Sequence, residues 1–137
     1  MAKDYFEKFA IRAPLIPEKP SKNLKFIIVI PCFNEPHLSA SIESLIKATQ
    51  PPCDYEIIVV VYEGSTDNSI KTVKKLASKD KSIKLLIQPK NKKGIGIAKL
   101  MAFKKAKYPY IFYADSDNQF NLEEFKKFVP FIGKYDI

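Results

Sequence analysis

Short apolar runs alternate along the chain with segments in which apolar residues recur every three or four positions. The runs occupy residues 26–30, 57–61, 83–87 and 110–114, with Lys84 interrupting the third, and such stretches are typical of strands buried on both faces. The periodic segments predict four amphipathic helices, with apolar positions 38/42/45/46, 70/73/76/77, 98/101/102 and 122/125/128/129. Strand–helix alternation at this spacing predicts βαβ units and a parallel sheet, which is an α/β fold.

The pattern divides the chain into an appendage, residues 1–24, and one domain, residues 25–137. The appendage has aromatic residues at positions 5, 6 and 9 and prolines at 14, 17 and 20, which favour a short helix followed by an extended tether. Two interpretations of the short helix stay open, namely docking on the domain and contact with a membrane surface.

Composition narrows the class of protein. The 137 residues are 46% hydrophobic, which is enough for one core, but the longest apolar run is far shorter than the roughly 20 residues that span a bilayer. Two cysteines, Cys32 and Cys53, make neither a disulfide framework nor a zinc site, so a cytoplasmic location is expected. The net charge is +8, yet Arg12 is the only arginine, and this argues against a nucleic-acid partner. The lysine-rich segment 71–107 is either a set of solvated helix faces or a surface that attracts anionic ligands or a membrane.

Ligands of open α/β sheets bind beyond the carboxyl ends of the strands, so the polar segments there are the candidate site. The fourth of these segments, residues 115–120, has the sequence DSDNQF. In an extended chain Asp115, Asp117 and Gln119 would point to the same side, and their oxygens would suit Mg²⁺ or Mn²⁺. The alternative is a polar turn before a helix that Asn121 and Glu124 cap as a capping box.

The second and third segments carry glycines and charged residues. Gly64 allows a tight turn with positive φ, and Thr66 or Asp67 can cap the next helix. Glu63 ends a strand, where acids often contact a ribose or base in nucleotide-binding folds. Gly94 begins a helix among lysines, which is either a solvated helix entry or a loop that approaches a diphosphate closely.

The first segment, PCFNE at residues 31–35, predicts a helix capped by Asn34 with Pro36 in its first turn. Cys32 is expected to be a buried apolar side chain, and His37 is expected to face solvent. With a single histidine, neither zinc chemistry nor a Ser–His or Cys–His nucleophile is indicated.

Taken in order, the four segments resemble the nucleotide-binding half of a family 2 glycosyltransferase with the GT-A (Rossmann-like) fold. Within that family the chain is most similar to polyprenyl-phosphate (dolichol-phosphate type) glycosyltransferases. The matching stretches are IIVIPCFNE (27–35), EIIVVVYEGSTDNS (56–69), NKKGIGIAKLMAFKKA (91–106) and YIFYADSDNQF (110–120).

The resemblance implies a nucleotide-diphosphate sugar donor and a divalent metal, Mg²⁺ or Mn²⁺. It further implies transfer of a hexose with inversion to polyprenyl phosphate or another membrane-linked acceptor, at the cytosolic face of a membrane. The metal would act as a Lewis acid on the departing nucleoside diphosphate. The metal residues would be Asp115, Asp117 and Gln119. The nucleotide-sugar residues would be Pro31, Asn34, Glu35, Tyr62, Glu63, Lys93, Gly94 and Asp115.

Two features depart from the family pattern. Tyr62 stands where the family has an acid before Glu63, so its ring would stack on a base instead. KYDI at residues 134–137 resembles the opening of the next family strand, which places the catalytic base beyond Ile137 and makes the chain an inactive N-terminal part. Two alternatives stay open: a non-catalytic nucleotide-sugar-binding module, and a half-built sheet edge that pairs in a homo-oligomer or with a partner chain supplying the C-terminal half.

Overall fold

A computed structural model describes residues 25–49 and 54–131. The predicted appendage, the KYDI segment and Cys53 lie outside these ranges. Within them the chain forms four strands, β1 (Lys25–Cys32), β2 (Asp54–Tyr62), β3 (Ile83–Gln88) and β4 (Tyr110–Tyr113). The α-helices of the same ranges are α1 (Leu38–Ala48), α2 (Ser69–Lys79) and α3 (Ile95–Lys105). Two short 3₁₀ helices follow β4, at Leu122–Lys127 and Val129–Phe131.

The strands form one parallel sheet in the order β3-β2-β1-β4. Strand β1 is central, and its Ile28 lies opposite Ile57 of β2 and Phe112 of β4. The chain builds outward from β1 through β2 to β3, and then crosses over to place β4 on the other side of β1. The connections therefore change direction at β1, and a crevice at the carboxyl ends of the strands is expected at such a point.

Strand β1 is buried on both faces, which explains its continuous apolar pattern. Phe26, Ile28 and Ile30 pack on one face in a core shared with α1, α2 and the 3₁₀ helices. Ile27 and Val29 pack on the other face, beneath α3. All five side chains are fully buried, and burial of each contributes about 1.5–3 kcal/mol to folding. The sheet is therefore a rigid base for the loops at its carboxyl edge.

The predicted fourth amphipathic helix is wrong in type, because the segment forms 3₁₀ turns. Its apolar residues Leu122, Phe125 and Phe128 recur every three positions, which is the 3₁₀ period. Phe125 packs on the rings of Phe26 and Phe112 at centroid distances of 4.9 and 4.5 Å, so tertiary contacts hold the turn in place.

The predicted capping box before this segment is only half formed. Asn121 Oδ1 accepts a hydrogen bond from the Glu123 backbone N–H at 3.2 Å. The Glu124 carboxylate does not reach back to Asn121, because it accepts from the Lys127 ammonium at 2.7 Å. Asn121 thus caps the turn without its predicted partner.

The edge of the sheet and the outer face of α3 remain open among the described residues. No described strand pairs with the outer edge of β4, and Ile111 of that strand is 40% exposed. Leu100 and Phe103 of α3 are similarly exposed. No described helix is both long and apolar enough to cross a membrane. The homo-oligomer, the partner chain and the peripheral membrane location therefore stay predictions.

Candidate functional site

A pocket of about 230 Å³ opens at the carboxyl ends of β1, β2 and β3. Its position beyond the carboxyl ends of the strands agrees with the expectation for an open parallel sheet, although its lining comes from the β2 and β3 side of β1 and not from β4. Four of the predicted nucleotide-sugar residues lie in its wall: Pro31, Tyr62, Lys93 and Gly94. The rest of the wall consists of Cys32, Phe33, Gln88, Ile95 and Ala98.

The loops after β2 and β3 are tied together beside this pocket. The Tyr62 hydroxyl donates to the Lys90 carbonyl oxygen at 3.1 Å, and Glu63 Oε2 accepts from the Lys90 N–H at 3.1 Å. The Glu63 N–H donates to the Gln88 carbonyl oxygen at 2.8 Å. One oxygen of the Glu63 carboxylate is therefore used within the protein, and the Tyr62 ring is fixed in the pocket wall.

Asn34 joins the loop after β1 to the loop after β2. Its Oδ1 accepts from the Thr66 N–H at 2.7 Å, and its own backbone has a positive φ of 51°. The prediction that Asn34 caps α1 is wrong, because the residue preceding that helix is His37, whose side chain makes no cap hydrogen bond. Glu35 takes part of this role, since its Oε1 accepts from the His37 N–H at 2.9 Å. His37 is exposed, as predicted.

Gly64 is required for a reason other than the predicted positive φ. Among the described glycines, positive φ occurs at Gly94, where it is 127°. At Gly64 a Cβ atom would overlap the ring of Tyr62, with Tyr62 Cζ only 3.0 Å away. The turn therefore needs a glycine because an aromatic ring approaches its backbone closely.

Asp67 accepts hydrogen bonds from the first residue of α2, in agreement with its predicted capping role. Its Oδ1 accepts from the Ser69 N–H at 3.0 Å, and its Oδ2 accepts from the Ser69 hydroxyl at 2.6 Å. The residue before the helix, Asn68, makes no cap hydrogen bond with its side chain.

Phe33 is a pocket residue that the sequence reasoning did not single out. Its ring meets Tyr62 edge to face at a centroid distance of 5.4 Å, and it is 50% exposed. Lys93 Nζ lies 5.1 Å from the Phe33 centroid and 5.6 Å from the Tyr62 centroid. The sequence feature that could have identified Phe33 is an aromatic residue next to Asn34 at the end of a predicted strand. Two rings and an ammonium group suit a flat aromatic base linked to an anion.

Gln88 is a second residue that the sequence reasoning missed. It is 4% exposed, and its Nε2 donates to the carbonyl oxygens of Lys92 and Gly94 at 2.7 and 2.8 Å. Both amide hydrogens thus hold the loop that carries Lys93. Cys32 is buried as predicted, and burial raises the pKa of its thiol, so it stays protonated at neutral pH.

The acidic segment after β4 is bent, so the prediction that it is extended is wrong. Asn118 has a positive φ of 58°, and Asp117 Oδ1 accepts from the Gln119 N–H at 3.1 Å. Asp115 Oδ1 accepts from the Tyr113 hydroxyl at 2.6 Å. Among the described residues, the second oxygen of each aspartate accepts no hydrogen bond, and no group of three or more His, Cys, Asp or Glu side chains is gathered for a metal.

Tyr113 stays protonated in this arrangement. Burial, followed by the hydrogen bond to the Asp115 carboxylate, raises the pKa of its phenol. Lys99 Nζ of α3 lies 3.7 Å from the centroid of its ring. The phenol is therefore a stable hydrogen-bond donor to Asp115 at neutral pH.

Comparison with known proteins supports a specific family. Residues 27–137 match the family described as Glycosyl transferase family 2. The poly(ribitol-phosphate) beta-N-acetylglucosaminyltransferase TarS of Staphylococcus aureus is 30% identical over 113 residues, which are 82% of this chain and 19% of TarS. A poly(ribitol-phosphate) beta-glucosyltransferase of Bacillus spizizenii is 34% identical over 109 residues, which are 79% of this chain and 17% of that protein. The chain thus spans less than a fifth of the length of either relative.

Solved structures show the same fold. The crystal structure of S. aureus TarS 1–349 in complex with UDP-GlcNAc has a TM-score of 0.60 and 26% identity, over 81% of this chain and 32% of that one. The mannosyltransferase PcManGT from Pyrobaculum calidifontis, in complex with GDP-Man and Mn²⁺, has a TM-score of 0.65 and 21% identity, over 85% of this chain and 34% of that one. The predicted GT-A fold is confirmed, whereas the polyprenyl-phosphate subtype has no support in these names. The sheet, the loops at its carboxyl edge and the match over residues 27–137 show that the chain belongs to glycosyltransferase family 2.

Proposed function

We propose that the domain binds the donor of a glycosyltransferase, a nucleoside-diphosphate sugar, at the pocket beyond β1, β2 and β3. One observation carries the proposal: hydrogen bonds join three consecutive strand-end loops around a cleft lined by two aromatic rings and a lysine. A base stacks on an aromatic ring without needing a particular hydrogen-bond pattern, and the ammonium group attracts phosphate.

The predicted donor residues divide into two roles in this proposal. Tyr62 and Lys93, together with Phe33, would contact the base and the first phosphate. Glu63 would offer its second carboxylate oxygen to the ribose, because Oε2 is already used by Lys90. The predicted residues Pro31, Asn34, Glu35 and Gly94 would shape the backbone around the nucleotide.

We further propose uridine as the nucleoside. Support comes from TarS, which is 26% identical to this chain in its complex with UDP-GlcNAc. Tyr62 replaces an acid of the family pattern, so the ring contact takes the place of a carboxylate at that point. A UDP-hexose or UDP-N-acetylhexosamine is the donor class that follows.

We propose that a divalent cation, Mg²⁺ or Mn²⁺, binds at the acidic segment after β4. Asp115 and Asp117 each have one carboxylate oxygen that is not used by a described residue, and Gln119 can add an amide oxygen. Such a small set of hard oxygen ligands suits a cation that also takes phosphate oxygens and waters. When bound, the cation would neutralise the charge that develops on the departing diphosphate.

The acceptor and the stereochemistry belong to the proposal as well. Both relatives are named for transfer to poly(ribitol-phosphate), which favours a hydroxyl of a phosphate-containing polymer over the polyprenyl phosphate expected from the sequence. Transfer of a hexose with inversion remains the reaction that we propose for this family member. A non-catalytic nucleotide-sugar-binding module is the second candidate, favoured by the presence of Tyr62 in place of an acid.

Calorimetric titration of the purified chain with UDP, UDP-GlcNAc, UDP-glucose and GDP-mannose tests donor binding. We expect the UDP compounds to bind and to raise the melting temperature, since a ligand of the folded state stabilises it. Lys93→Met should weaken binding, and Lys74→Met, which changes an exposed lysine of α2, should not. Failure of every nucleotide to bind would refute the proposal. Release of UDP that depends on an acceptor polymer would separate the enzyme from the binding module.

A further inference from the structure

The phenol of Tyr113 lies against Asp115 at the carboxyl end of β4. The Tyr113 hydroxyl donates to Asp115 Oδ1 at 2.6 Å, a short distance typical of a hydrogen bond to an ionised carboxylate. Residues two apart at a strand end point to the same face, so the contact follows from the position of the tyrosine. The carboxylate is thereby held in one orientation with its Oδ2 directed away from the phenol.

The ring of Tyr113 is itself held in place. It is paired with Val29 of β1, whose side chain packs beneath α3. On the same face, Lys99 of α3 lies over the ring, with Nζ 3.7 Å from the centroid. The strand pairing of Tyr113 with Val29 and the contact with Lys99 therefore restrict the ring. They also restrict the hydroxyl that donates to Asp115.

The backbone around Asp115 is fixed independently. The Ala114 N–H donates to the Val29 carbonyl oxygen at 3.0 Å, which extends the β1–β4 pairing by one residue. The hydroxyl of Ser41, a fully buried residue of α1, donates to the Ser116 carbonyl oxygen at 2.9 Å. The backbone on both sides of Asp115 is thus bound to the sheet or to a helix. The hydrogen bond from Tyr113 then restricts rotation of the Asp115 side chain.

We infer that Tyr113 is a positioning residue, which presets the Asp115 carboxylate so that Oδ2 can bind a divalent cation carrying the donor diphosphate. The inference rests on the proposed function, because Asp115 is a metal and diphosphate residue only there. A carboxylate that is already oriented loses less side-chain freedom on binding its ligand. Partners that orient a metal ligand in this way typically account for about 10–100-fold in metal affinity.

The test compares Mn²⁺ affinity with nucleotide affinity in Tyr113→Phe. Mn²⁺ binding to the UDP-saturated chain is measured by electron paramagnetic resonance, and UDP binding in EDTA is measured by calorimetry. We expect about a 10-fold loss of Mn²⁺ affinity in the variant and an unchanged UDP affinity in EDTA. A merely structural role would change both values, because a damaged sheet edge would affect the whole site.

Two controls separate the possible outcomes. Tyr110→Phe removes a hydroxyl at the exposed start of the same strand and should leave both affinities unchanged. In the Asp115→Asn background, Tyr113→Phe should cause no further loss of Mn²⁺ affinity, because the two side chains act as one unit. Wild-type Mn²⁺ affinity in Tyr113→Phe would overturn the inference alone. A wild-type chain whose UDP complex binds no Mn²⁺ would overturn both the inference and the proposed metal.

Discussion

The ring of Tyr62 occupies the space that a side chain on Gly64 would need. A Cβ atom on Gly64 would overlap the edge of the ring, and the distance to Cζ would be 3.0 Å. The same ring forms a wall of the pocket and meets Phe33 edge to face. Because Gly64 has no side chain, the Tyr62 ring can occupy its position in the pocket wall.

Gly64→Ala should displace this ring and weaken UDP binding. We expect a loss of about 1–2 kcal/mol of binding free energy, within the range for a lost stacking contact, together with about 1–3 kcal/mol of folding stability from overpacking. Calorimetry and denaturant unfolding measure the two quantities. Gly96→Ala is the matched control, because nothing lies within 4 Å of its Cβ position in α3. It should keep UDP affinity, and an equal effect of the two variants would contradict the expectation.

Tyr62→Ala and Tyr62→Phe should separate the ring from its hydroxyl. Removal of the ring should cost about 1–3 kcal/mol of UDP binding free energy. The phenylalanine variant keeps the ring and loses only the hydrogen bond to the Lys90 carbonyl oxygen, so its UDP affinity should remain near that of the wild type. Equal affinity in all three proteins would leave Tyr62 a packing residue with no role in donor binding.

Asp117→Ala should abolish the increase in UDP affinity that Mn²⁺ or Mg²⁺ produces. The reason is the loss of a hard oxygen ligand from a small set, and titration of UDP with and without metal measures the effect. Glu123→Ala, which removes an exposed acid six positions further along, should preserve the metal effect. A wild-type chain that binds UDP equally with and without metal would disprove the metal role of this segment.

Lys84→Met should destabilise the domain at the end of the sheet remote from the pocket. Lys84 of β3 pairs with Glu56 of β2, which is 7% exposed and whose Oε2 has no hydrogen-bond partner among the described residues. Removal of the lysine would leave a buried carboxylate without its partner, at a cost of about 1–3 kcal/mol. Denaturant unfolding near neutral pH measures this cost, and Lys81→Met at an exposed position should show none.

The same pair predicts a pH dependence. The hydrogen bond that the Lys84 ammonium donates to the Glu56 carboxylate raises the pKa of Lys84 above its ordinary value of 10.5. The folded state therefore holds this proton more tightly than the unfolded chain does, and the stabilisation is fully present below pH 10.5. It should be lost as the pH rises through the raised pKa, so the stability difference between wild type and Lys84→Met should shrink there. A difference that stays constant to higher pH would contradict this assignment.

The strands and α-helices could be predicted because each apolar run or stripe contributes residues to the core, although β1 and β2 are the described strands that are buried on both faces, and β4 is not. The run at residues 26–30 became β1 because both faces of that strand are covered. The apolar residues after β4 led to a wrong prediction of an α-helix. The spacing of Leu122, Phe125 and Phe128 is compatible with an α-helix or a 3₁₀ helix, and packing of Phe125 against Phe26 favours the 3₁₀ form. Local pattern cannot predict the outcome where tertiary contacts choose the geometry.

Some of the predicted site residues line one pocket, whereas the hydrogen bonds that join its loops were not predicted. The family resemblance marked Tyr62 at the end of β2, and Lys93 and Gly94 in the loop after β3, as nucleotide-sugar residues, and all three line the pocket. The hydrogen bond from Thr66 to Asn34 spans 32 residues, and no local pattern announces it. Gln88 was missed for the same reason. Its role depends on hydrogen bonds to the carbonyl oxygens of Lys92 and Gly94, which the sequence alone does not indicate.

The order of the strands has a consequence for how the protein folds. Strands β1, β2 and β3 are neighbours both in sequence and in the sheet, so they can assemble from short-range crossovers as the chain leaves the ribosome. Strand β4 must return to β1 after three helices and two strands have been made, and its pairing closes the longest loop among the described strands. The acidic segment follows β4 directly, so the residues assigned to the metal would reach their native positions after β1, β2 and β3 have paired.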